Sequence, residues 1–298
     1  MKNILFSFFL LAFSLLSHSQ DMAVKEMQII GTKAFKSLDS NGWKKRGTFI
    51  INLNQGTLSN WAAGGEQSVL GVNTIFNYSL NLRSNNNTWD NAFDISIGFQ
   101  NATSFGKFRK IDDRIDITSK YGYQISRKWY TGMLLNFNSQ ALAGYDYSVI
   151  PNEKISGFLT PGKVLLSPGF DFKPNDIFSI YVSPVTIRWV LKTNSAFFII
   201  SKFGVDSAHK VNTELGAFLT AKKNLVMAKW LTYTGRLDLF SNYKRKPGNI
   251  DLLMNNLLTM RLTKVLATNL SLDFIYDDDV VKRLQIKEIL GVGLAVKL

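Results

Sequence analysis

The sequence has no cysteine, so the exported chain is neither a lipoprotein nor a disulfide-stapled scaffold, and it holds no thiolate metal site. It also has few histidines: beyond residue 18 only His209 remains. No long uninterrupted apolar stretch follows the first sixteen residues, which excludes helical membrane spans of about 20 apolar residues. No phosphate-cradling glycine loop and no metal-spaced histidine cluster is legible, so no cofactor is expected. Acidic residues are scarce beside basic ones, 22 against 35, for a net charge of +13.

What is present begins with an export signal. Met1-Lys2-Asn3 precedes an apolar run from Ile4 to Leu16 and then Ser17-His18-Ser19-Gln20. A basic start, a short apolar core and small residues at alternate positions describe a cleavable signal peptide over residues 1–19. Residues 20–45 lack clear alternation and read as a periplasmic arm. An exported chain has no nucleic acid to bind, so its positive charge is expected to meet anionic lipid head groups, lipopolysaccharide among them, or acidic ligands.

From residue 46 to 298 the pattern is alternation with period two, the mark of strands. Val72, Thr74, Phe76, Tyr78, Leu80 and Leu82 oppose Asn73, Ile75, Asn77, Ser79, Asn81 and Arg83. The last residues alternate too: Leu290, Val292, Leu294, Val296 and Leu298 lie on one face, with Gly291 and Gly293 on the other. The composition is 46% hydrophobic and 13% aromatic, rich for a chain without spanning helices. A transmembrane antiparallel up-and-down β-barrel of about twelve strands resolves the conflict, because one residue in two faces lipid and the next faces the lumen.

Connections read as alternately short and long. Short turns are expected at Ser84–Asn87, Ser126–Lys128, Lys173–Asp176, Lys222–Asn224 and Lys264–Thr268. Longer loops are expected near 55–67, 101–111, 141–162, 192–210, 242–250 and 277–283. With short turns in the periplasm, both termini fall there and the barrel belongs to the outer membrane. Trp43, Trp89, Trp129 and Trp230 then mark the inner interface and Trp189 the outer one. One strand changes phase: Phe178, Ile180 and Val182 lead, then Val185, Ile187 and Trp189, so a bulge is expected at Pro184-Val185. Ala196–Ile200 is left between an extra strand pair and a hairpin above the membrane.

The expected lumen charges are Asp94, Asp116, Lys120, Asp171, Glu214, Arg236, Asp238, Arg261, Asp273 and Lys287. Their mixed signs argue against a strongly ion-selective ring and for pairing across a narrow, filled interior, with a water-filled channel lined by the same residues as the competing reading. Asn60-Trp61-Ala62-Ala63-Gly64-Gly65-Glu66 has two readings. Trp61, Gly64, Gly65 and Glu66 either form a constriction at the mouth or a packed turn stapling the first hairpin, and the packed turn is preferred. Asp277, Asp278 and Asp279 offer hard oxygen ligands but lack a metal-site spacing, so a solvated acidic tip is expected. Gly106–Lys110 and Tyr243–Lys246 read equally as basic loops that meet lipopolysaccharide phosphates or as solvated loop faces. His209 sits beside Asp206 and Ser207, but adjacency on one loop does not build a catalytic relay.

Asn60–Glu66, Trp43, Leu166-Ser167-Pro168-Gly169 and Tyr181-Val182-Ser183-Pro184-Val185-Thr186 resemble the Bacteroidota domain-of-unknown-function 3078 family over most of the mature chain. That resemblance implies an outer-membrane-type barrel in a diderm of that phylum and brings no substrate, cofactor or catalytic residue. The functions expected are a channel or transporter for a small solute or lipid, or a non-conducting accessory subunit of an outer-membrane protein complex. A hydrolase ranks third, without a legible site.

Overall fold

A computed structural model describes residues 41–58, 66, 68–175, 177–193, 203–228, 230–263 and 265–297. The signal peptide, nearly all of the arm, Trp61, Gly64, Gly65 and Ala196–Ile200 lie outside them. Among the described residues no helix is long and apolar enough to cross a membrane.

The strands are β1 (Gly42–Thr57), β2 (Ser68–Ser84), β3 (Asn87–Ala102), β4 (Arg109–Gln124), β5 (Trp129–Ser139), β6 (Gly144–Asp146), β7 (Glu153–Ser156), β8 (Gly162–Phe172), β9 (Phe178–Leu191), β10 (Val211–Ala228), β11 (Leu231–Asn242), β12 (Ile250–Arg261), β13 (Leu266–Asp277) and β14 (Val281–Lys297). All but β6 and β7 join in chain order into one closed antiparallel ring of twelve, with β14 returning to β1. The other two form a separate hairpin within the β5–β8 loop.

The alternation read from the sequence sorts side chains between two solvents. Leu53, Met133, Leu135, Phe170, Val182 and Leu294 stand exposed on the outer wall. Ile50, Asn52, Asn73 and Ile75, one register step away, are at most 1% exposed on the inner wall. An apolar exterior around a polar interior is the distribution of a barrel that spans a bilayer. Trp43, Trp89, Trp129 and Trp230 are all half-exposed and lie at the short-turn end. Trp43 and Trp89 have ring centroids 5.9 Å apart, and Trp129 meets Phe172 at 4.8 Å. These rings form a girdle at one rim.

The phase change in β9 is a bulge. Thr186 pairs with Gly216 and Ser183 with Phe218, so Pro184 and Val185 together face Ala217. The Ser183 hydroxyl donates to the Pro168 carbonyl (2.6 Å), and Thr186 Oγ1 donates to Ser183 Oγ (2.9 Å). Pro184 thus sits in the bulge, where the ladder asks nothing of its nitrogen.

Several boundaries differ from the sequence reading. β1 begins at Gly42, so Trp43 lies inside the first strand and not before it. Lys222–Asn224 is not a turn: β10 continues to Ala228, and Lys223 still pairs with Phe178 of β9. Polar residues there serve the inner wall and the rim, and polarity alone does not separate those roles from a turn. Asp277–Val281 is not a long loop but a tight turn, closed by Val280 N–H donating to the Asp277 carbonyl at 3.1 Å.

Candidate functional site in the barrel interior

Charged residues that point inward are shielded from bulk water by the wall, so they must find partners within the interior. They do so in three tiers. At the short-turn end, Arg83 pairs with Asp90 (2.6 Å), Lys173 bridges Asp90 (3.4 Å) and Asp171 (3.1 Å), and Lys120 closes onto Asp171. The Lys173 ammonium also stands 5.0 Å from the Tyr130 ring.

The middle tier joins opposite walls. Asp94 accepts from Asn77 Nδ2 (2.6 Å), and Asp116 from Asn136 (2.8 Å) and Asn138 (3.3 Å). Across the interior, Arg236 grips Asp238 through Nε (2.9 Å) and Nη2 (2.7 Å). It also attracts Asp116 on β4, five strands away round the ring. Lys222 is the register partner of Arg236, so two cations face each other on neighbouring strands, a costly arrangement. Asp238, Asp94 and Asp116 offset it electrostatically. Asn255 Nδ2 donates to Asp273 at 2.8 Å.

At the loop end, Arg188 is buried between two carboxylates. Its Nε donates to Glu214, its Nη2 lies 2.7 Å from Asp251, and its guanidinium sits 3.9 Å from the Phe240 ring centroid. Lys163 holds Asp277 at 3.1 Å. Between tiers, Leu134, Leu165, Tyr181, Phe218 and Phe240 make an apolar wedge against one side of the bore.

Of the expected lumen residues, Asp94, Asp116, Asp171, Glu214, Asp238 and Asp273 are buried inside, with Lys120, Arg236 and Arg261 partly covered. Sequence reasoning passed over Arg83, Asp90, Lys163, Lys173, Arg188, Lys222 and Asp251. Arg188 was within reach, since the phase after the bulge turns it inward.

Other candidates take different roles. Glu66 accepts from the Ser104 amide (3.0 Å) and hydroxyl, which tie the first loop to the β3–β4 turn and hold the Glu66 carboxyl below its usual range. The acidic tip is not free in solvent. Asp277 is buried against Lys163, Asp278 accepts from Asn249 (2.6 Å), and Asp279 lies 3.3 Å from Arg245. Each carboxylate has a protein partner, and among the described residues no group of three metal-ligating side chains gathers.

In the basic loop 106–110, Lys107 is exposed, while Arg109 and Lys110 are engaged within the protein. Lys110 donates to Asp113 (2.9 Å), Gln140 (3.0 Å) and the Leu142 carbonyl (2.8 Å), and Arg109 stacks on Phe105 and Tyr147 at 3.9 and 4.5 Å. Arg109 and Lys110 thereby anchor the β5–β8 loop. His209 meets Ser207 and Asp206 through their main-chain carbonyls, at 3.2 and 3.3 Å.

Known proteins give a short comparison. No curated protein matches the sequence. Among solved structures the chain is similar to the NanC porin, at 8% identity and a TM-score of 0.39, covering 84% of this chain and 97% of the porin. It is similar to an outer membrane channel from Pseudomonas putida F1, at 9% identity and a TM-score of 0.39, covering 92% and 98%. It is also similar to the outer membrane phospholipase A from Escherichia coli, at 11% identity and a TM-score of 0.37, covering 92% and 95%. Likeness this faint, spread over a porin, a channel and a lipase, identifies neither a substrate nor an activity. The family that the Asn60–Glu66 string resembles is the one whose pattern the chain matches: residues 53–145 fit the family described as protein of unknown function DUF3078.

Proposed function

We propose that this barrel sits in the outer membrane, short turns toward the periplasm, and passes a small polar solute along a narrow, charge-lined interior. The observation that carries this reading is the three-tier ladder of paired charges from rim to rim. Beside it, buried polar atoms of Ser96, Thr220, Asp171, Asn269 and Arg261 have no partner among the described residues. Groups of that kind are satisfied by internal water, so the interior is hydrated and polar from the short-turn end to its middle. Arg245 and Lys246 stay more than half exposed at the loop rim, which suits contact with lipopolysaccharide phosphates.

Planar-bilayer recording of the purified protein tests the reading. Small, steady single-channel steps are expected, and Arg236→Ala should enlarge them by removing a guanidinium from the middle of the interior. Electrical silence from wild type and Arg236→Ala alike would end it. One observation favours the second reading, a non-conducting accessory subunit. Inward Ile50, Asn52, Asn73 and Ile75 are almost wholly covered, as in a filled barrel with no continuous bore.

A further inference from the structure

The ring does not close evenly. β1 and β14 pair only from Thr48↔Lys297 to Asn52↔Gly293. The other edge of β1 pairs with β2 along its whole length, Gly42↔Arg83 to Thr57↔Ser68, and β14 pairs with β13 up to Asp277↔Val281. Above the Asn52↔Gly293 pair, residues 53–57 of β1 and 281–292 of β14 therefore present backbone edges with no strand opposite them among the described residues. The β1 stretch alone spans roughly 15 Å at about 3.3 Å per residue.

What flanks this split is apolar. Leu53, Leu284, Ile286 and Val292 are exposed on the outer wall, with Glu288 the one charge in the row between Leu284 and Val292. The split thus borders hydrocarbon, where open backbone edges find no hydrogen-bond partner and are tolerated only beside protein or a wet cavity. Behind it there is room: Gly291 is buried and turned inward, and a Cβ built there meets nothing within 4 Å. At the lower lip Asn52 is fully buried over Gly293, and neither its amide nitrogen nor its oxygen has a partner among the described residues. A carboxamide free in both directions suits a group that can accept and donate at once.

We infer that the β1–β14 split is a lateral portal for a membrane amphiphile. Its polar head, bearing a hydroxyl or amide, meets Asn52 in the space beside Gly291, and its apolar tail leaves between the strands into the bilayer. The portal goes beyond axial passage and does not depend on it; conductance and lateral entry can fail separately.

The chain has no cysteine, so a single label reports cleanly. Full-length Gly291→Cys, labelled with bimane and folded into vesicles of phosphatidylcholine brominated on its acyl chains, places a probe on the inner wall at the split. Thr220→Cys on β10, also inward, is the control. Quenching at 291 at least twice that at 220 is expected; equal quenching overturns the portal. Two cysteine pairs decide the matter should Gly291→Cys not fold. Phe49→Cys with Val296→Cys, a registered pair, should oxidise to a disulfide. Thr57→Cys with Glu288→Cys, which a fully zipped seam would bring opposite each other, should stay reduced, and efficient oxidation there contradicts an open split.

Discussion

Arg188→Ala is expected to destabilise the folded barrel by about 3–5 kcal/mol, the range for breaking a buried ion pair by removing one partner. Arg188 is the only described cation bonded to Glu214, whose side chain is 1% exposed, and it serves Asp251 on the next wall as well. Without it Glu214 loses its cation in a buried site floored by Phe240, and Asp251 loses its partner as well. Arg188→Lys keeps one charge but loses the fork that reaches both partners, and should fall between. The triple variant Arg188→Met, Glu214→Gln, Asp251→Asn removes the charges together and should recover most of the loss. Urea unfolding in lipid vesicles, followed by tryptophan fluorescence, measures all of these. A cost under about 1 kcal/mol for Arg188→Ala, as exposed pairs show, would mean that water enters this tier freely.

Gly132→Ala is expected to be comparably damaging, for a steric reason. Gly122, Gly132 and Gly169 are register neighbours across β4, β5 and β8, and the Tyr181 ring lies against Gly169. The Tyr181 hydroxyl donates to the Ser167 carbonyl and, at 3.4 Å, to that of Gly132. A Cβ on Gly132 would lie 2.0 Å from the Tyr121 carbonyl oxygen and 2.8 Å from the Gly122 Cα. Both are backbone atoms of a paired strand, so nothing can rotate aside. The cost should reach or pass the upper end of the roughly 1–3 kcal/mol seen for overpacked cores. Gly248→Ala, in a loop where a Cβ meets nothing within 4 Å, should change stability by less than about 0.5 kcal/mol. Equal midpoints for Gly132→Ala and wild type would contradict the close approach.

The architecture was legible because a barrel's two solvents write a period of two into every strand. Val72–Leu82 and Leu290–Leu298 carried it plainly, and Pro184-Val185 announced its bulge through the phase change. Lys222–Asn224 misled because an inward lysine and a rim lysine look like a turn, while β10 runs on to Ala228 and the turn residue before β11 is Trp230, an aromatic that belongs to the girdle. The site was half legible. Alternation says which charges point inward but not which meet: Lys163 and Asp277 are 114 positions apart, and Lys173 and Asp90 are 83 apart. Such pairs follow from strand tilt and register around the closed ring. The same limit hid the split seam, since β1 and β14 each read as long, regular strands and only their mutual stagger leaves edges bare.

Spin labels placed singly from Val72 to Leu82 along β2, in protein reconstituted into phospholipid vesicles, address the central point, that alternate residues face hydrocarbon and an enclosed interior. Collision with dissolved oxygen should rise at 72, 74, 76, 78 and 80 and fall at 73, 75, 77 and 79. A flat profile, or one with its maxima at the odd positions, would contradict the barrel in a membrane.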